Sequence, residues 1–99
     1  MIRHIVCWKL AATDAATKAE HAAEITRQMD ELPALIPEIR SLQVGTNVLF
    51  PEVNWDVVLV ADFDDADALE RYSVHPEHQR VGAYIGTVRE DRVAVDFEV

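Results

Sequence analysis

The sequence predicts an α+β subunit of order β-α-β-β-α-β whose sheet packs face to face on that of a second copy. Three observations predict it. Segments with strand-like alternation lie at both ends and in the middle, separated by segments with helical spacing. Two of those strands, Ile2 to Leu10 and Trp55 to Phe63, are apolar on both parities, as when both faces of a sheet are covered. Hydrophobic residues also make up 49% of only 99 residues. That is generous for a chain whose surface is large relative to its core.

The first strand puts Ile2, His4, Val6, Trp8 and Leu10 on one face and Arg3, Ile5, Cys7 and Lys9 on the other. Thr13-Asp14 supplies an N-cap for a helix whose apolar stripe is Ala22, Ile25, Met29, Leu32 and Ile36, with Pro33 and Pro37 expected to close it and room for an extra turn between them. Ile39 to Leu49 reads as a second strand and Trp55 to Phe63 as a third, joined through Pro51-Glu52-Val53-Asn54. Asp64-Asp65-Ala66-Asp67 opens a second helix, its acids suited to the positive end of the helix dipole. His75-Pro76 interrupts that helix, because a residue before proline is pushed out of helical geometry while proline suits the first position of a new one. His78, Val81, Gly82 and Ile85 share a face of the new piece. Arg89 to Val99 finishes as a strand, with Val93, Val95 and Phe97 alternating against Arg92, Ala94 and Asp96. This order is the split βαβ arrangement, an antiparallel sheet with helices on one face. Nothing in the chain remains to cover the other face, so a second subunit is expected there, giving a dimeric barrel. The 99 residues are expected to form one domain, without linker or internal repeat.

Charge and composition exclude several classes. Eighteen acids against nine bases give a formal net charge of -9, which repels phosphate backbones and anionic lipid heads, so neither nucleic acid nor membrane is an expected partner. Cys7 is the only cysteine and suits a reducing compartment. The N-terminal residues lack the pattern of a secretory signal, and no apolar stretch approaches a membrane span. A cytoplasmic, soluble protein is the expectation.

Four side chains carry the candidate chemistry: His4, Tyr72, His75 and His78. Strand parity places His4 with Val6 and Trp8, and helical phase places Tyr72 with Leu69 and His78 with Val81 and Ile85. Two imidazoles and a phenol are thus expected to meet between sheet and helices. A histidine there can move a proton near neutral pH, and a tyrosine hydroxyl can donate to a carbonyl or enolate oxygen. On spacing alone the same residues suit, rather better, hydrogen-bonded core positions that fix the bend at His75-Pro76. His75 and His78 lack a third ligand at metal-site spacing, and the acidic run Asp62 to Asp67 lacks the glycine and glutamate of a calcium loop, so no metal is expected. No Gly-rich phosphate loop exists, and no cofactor is expected.

The opening Ile2-Arg3-His4-Ile5-Val6-Cys7-Trp8-Lys9-Leu10, the run Tyr72-Ser73-Val74-His75-Pro76-Glu77-His78 and the closing Val95-Asp96-Phe97 resemble the stress-responsive A/B barrel domain family over essentially the whole chain. The resemblance implies a ferredoxin-like subunit that dimerises through its sheets. Plant members of the family include a polyketide cyclase that closes a ring by aldol condensation without metal or organic cofactor. By that likeness His78 would be the base, assisted by His4 and Tyr72. The tyrosine that the cyclase carries on its first helix has no counterpart in Ala23-Glu24-Ile25-Thr26-Arg27-Gln28, so the likeness extends to the proton-transfer residues and not to the substrate. The expected ligand is a small apolar or aromatic carbonyl compound. A non-catalytic ligand-binding or stress-associated protein, and a monooxygenase sharing the barrel, are the competing expectations.

Overall fold

Nine residues, Ile2–Leu10, form β1 and run through the middle of a four-stranded antiparallel sheet of order β2-β3-β1-β4. The computed structural model describes residues 1–99. β1 is followed by α1 (Ala15–Leu35), β2 (Ser41–Thr46), β3 (Val57–Phe63), α2 (Ala66–Val74), α3 (Pro76–Val88) and β4 (Arg89–Glu98). This is a ferredoxin-like α+β fold.

Local chemistry explains the boundaries. The Asp14 carboxylate accepts from the Thr17 backbone N–H and hydroxyl, capping α1. α1 closes between Pro33 and Pro37, as the sequence suggests. Pro33 sits in the last turn, where its missing N–H costs one bond, and the Ile36 N–H still reaches the Leu32 carbonyl. β2 is shorter than the alternation implies. After the Asn47 N–H meets the Asp56 carbonyl, the side-chain amides of Asn47 and Asn54 both donate to the Leu49 carbonyl. Those bonds replace the ladder and carry Val48 and Leu49 out of the sheet. Phe50, at φ 48°, turns the chain back.

The helices lie on the face of the sheet that carries Val6, Trp8 and Leu10, and the core sits between them. The α1 stripe Ala22, Ile25, Met29, Leu32 and Ile36 is fully buried against Leu59, Ala61 and Phe63 of β3 and Val81 and Ile85 of α3. The other sheet face has no helix. Its central rows run Val95–Ile5–Val60 and Val93–Cys7–Val58, with Phe97 beside them. Val93, Val95 and Phe97 are exposed. The bidentate Arg3–Asp62 pair and the Lys9–Glu90 pair border this apolar centre. No helix is long and apolar enough to cross a membrane.

Candidate functional site

The break between α2 and α3 builds the site. Pro76 cannot donate a backbone hydrogen bond, so α2 ends at Val74 and His75 adopts extended geometry at φ -63°, ψ 135°. The His75 Nδ1 accepts from the Glu77 N–H at 3.1 Å and caps α3. His75 is therefore committed to the bend. The carbonyl of Ser73, in the last turn of α2, accepts instead from His78 Nδ1 at 3.0 Å. A carbonyl can only accept, so Nδ1 carries the proton and Nε2 keeps its lone pair.

His4, Tyr72 and His78 all line one cavity of about 140 Å³ between the sheet and the helices. Its apolar wall comes from Val6, Trp8, Met29, Leu59 and Ile85. Tyr72 stands between the imidazoles, its ring centroid 6.2 Å from that of His4 and 4.3 Å from that of His78, with Phe63 behind it at 4.8 Å. Tyr72 is wholly buried, and its hydroxyl has no hydrogen-bond partner in the protein. Burial pushes its pKa well above the ordinary tyrosine value, against a smaller opposing pull from Arg92, so it is a neutral donor throughout the working pH range. Leaving such a donor unpaired costs about 1–3 kcal/mol, which a ligand oxygen would recover. Burial lowers the pKa of His78; the bond to Ser73 opposes this, while the charges of His4, Arg92 and His75 add to it. His78 is thus a neutral imidazole at pH 7.

Three residues at or beside the cavity escaped the sequence reading. Asp96 lies directly across from His4 in the β1–β4 ladder, and its carboxylate binds His4 Nδ1. Pairing the two terminal strands end to end would have found it, because Ile2 faces Glu98. Arg92, four pairs further along, falls on the same face, opposite Trp8. Arg89 reaches that face as well, which plain alternation forbids. A register shift pairs Lys9 with Asp91 but Leu10 with Arg89, so Glu90 is an extra residue and the parity flips. Both arginines line the cavity and are exposed, forming its rim.

The family model described as the stress responsive A/B barrel domain matches residues 2–99. A dimeric protein of ferredoxin-like fold from Bacteroides fragilis is 32% identical, with a TM-score of 0.90, over 99% of this chain and 95% of its own. An uncharacterized protein of Streptomyces coelicolor is 33% identical over 82 residues, 80% of each chain. A hydroxynitrile lyase from Passiflora edulis, at 16% identity and TM-score 0.79 over 99% of this chain and 92% of its own, shares the fold.

Proposed function

This chain belongs to the stress-responsive A/B barrel domain family, and from that premise we propose a homodimer in which each subunit performs cofactor-free proton transfer on a small carbonyl compound. The carrying observation is the buried, unpartnered Tyr72 hydroxyl set between two imidazoles. His78 Nε2 takes a proton from the carbon beside the carbonyl, and the C–H electron pair moves onto the carbonyl oxygen as an enolate. Tyr72 O–H donates to that developing oxyanion, an interaction worth more in the transition state than in the ground state. The enolate carbon then either recovers the proton from the His78 imidazolium or attacks a second carbonyl, as in an aldol closure. In the aldol branch the His78 imidazolium returns its proton to the new alkoxide, while His4, oriented through Nδ1 by Asp96, offers its second nitrogen as an acceptor for a ligand hydroxyl.

The dimer reading rests on the apolar face around Ile5, Val60 and Val95, which no element of the chain covers, and on the dimeric state of the Bacteroides relative. The single cysteine suits a reducing, cytoplasmic setting.

Deuterium exchange beside the carbonyl of small ketones in D₂O, followed by NMR, tests the chemistry. Exchange above background is expected for the native protein and none for His78→Ala. Tyr72→Phe should slow it on the order of 10²-fold, the loss of one oxyanion donor. Ligand binding without exchange across a panel of ketones and aldehydes would instead favour a non-catalytic binding protein.

A further inference from the structure

Seven of the nine basic side chains lie within 4.0 Å of a carboxylate. The two that do not are Arg89 and Arg92, and both line the cavity. With two acids for every base in the chain, partners are plentiful, yet these two guanidinium groups have none. No acid lines the cavity either; Asp96 is engaged with His4 outside it. The bulge at Glu90 is what brings Arg89 onto the same face as Arg92. A protein of net charge -9 repels anions at long range, so a pair of free arginines on the rim of its cavity is a local reversal of that field.

We propose that the cavity takes a small organic carboxylate, with an apolar body inside and its carboxylate held by Arg92 and Arg89 at the rim. Arginine suits this task because its planar fork matches a carboxylate with two parallel hydrogen bonds. The volume of about 140 Å³ sets the size of the body. A cavity of roughly 150 Å³ holds benzene, so one aromatic ring or a short acyl chain fits. The buried Tyr72 hydroxyl, a donor without an acceptor, supplies a second polar anchor for a ligand oxygen. This inference deepens the proton-transfer reading and rests on it: the substrate becomes a keto acid, anchored by its carboxylate and activated at its carbonyl.

Benzoate and its uncharged analogue benzamide are the probes, with binding followed by calorimetry and by the fluorescence of Trp8 in the cavity wall. Benzoate is expected to bind about tenfold or more tightly than benzamide, as a charge-assisted pair would give, and the margin should narrow with added salt. Arg92→Gln should remove most of the preference, Arg92→Lys should retain part of it, and the Arg89→Gln, Arg92→Gln double variant should abolish it. Neither arginine is buried or ion-paired, so these variants should keep the native melting temperature. Equal affinity for the two probes, no benzoate binding at millimolar concentration, or an unchanged preference in the double variant each overturns the proposal. The two readings fail separately. A native protein that prefers benzoate but exchanges no proton keeps the anion site and loses the catalysis. One that exchanges protons of neutral ketones without preferring benzoate does the reverse.

Discussion

His78 has a backbone partner that dictates its tautomer and a buried setting that dictates its charge. Its lowered pKa predicts that the acid limb of a pH–rate profile has its midpoint below 6.5, the ordinary histidine value. A midpoint above 6.5 would assign the limb to another group. The same shift has a consequence for stability. The folded protein holds this imidazole neutral more strongly than the unfolded chain does. The contribution is therefore complete above pH 6.5 and is lost as pH falls through the folded-state pKa. Urea midpoints measured from pH 7.5 downward should show a smaller decline for His78→Gln than for the native protein. Tyr72, with its pKa raised, adds no alkaline limb in the neutral range.

At the scale of elements, the α2–α3 break assigns a task to every residue of its motif. Pro76 ends one helix and begins the next, His75 caps the second, and the freed Ser73 carbonyl orients His78. α3 also carries Gly82 on the cavity wall, where an added Cβ would meet nothing within 4 Å. Glycine inside a helix costs roughly 0.5–1 kcal/mol relative to alanine. Gly82→Ala should therefore raise the melting temperature by a few degrees while narrowing the cavity. Gly82→Leu should fold and yet bind benzoate weakly or not at all. If the larger side chain left binding intact, the ligand would lie elsewhere.

For the whole molecule, the uncovered sheet face is the dominant fact. Val93, Val95 and Phe97 are exposed beside half-buried Ile5, Cys7, Val58 and Val60, with charged pairs only at the margin. Sedimentation at micromolar concentration should give about twice the chain mass. Ile5→Asp should dissociate or unfold the protein, since an unpaired buried charge costs several kcal/mol. Val95→Asp separates those outcomes: already exposed in the single chain, it should dissociate the dimer and leave a folded subunit. A native protein that sediments as a monomer would overturn the dimer.

Local pattern carried the order of elements, the α1 stripe and the three side chains His4, Tyr72 and His78, because each depends on a period of two or 3.6 residues or on proline geometry that a short stretch contains whole. It missed where strands stop and which residues cross from strand to strand. Side-chain amides of Asn47 and Asn54 displaced the end of β2. The Asp96 contact with His4 spans 92 residues and exists only once β1 and β4 are in register. The two free arginines share a face only because one extra residue in β4 reverses an alternation that the sequence alone presents as unbroken. Periodicity decides which way a side chain leaves its own element; only the pairing of distant strands decides what it meets there.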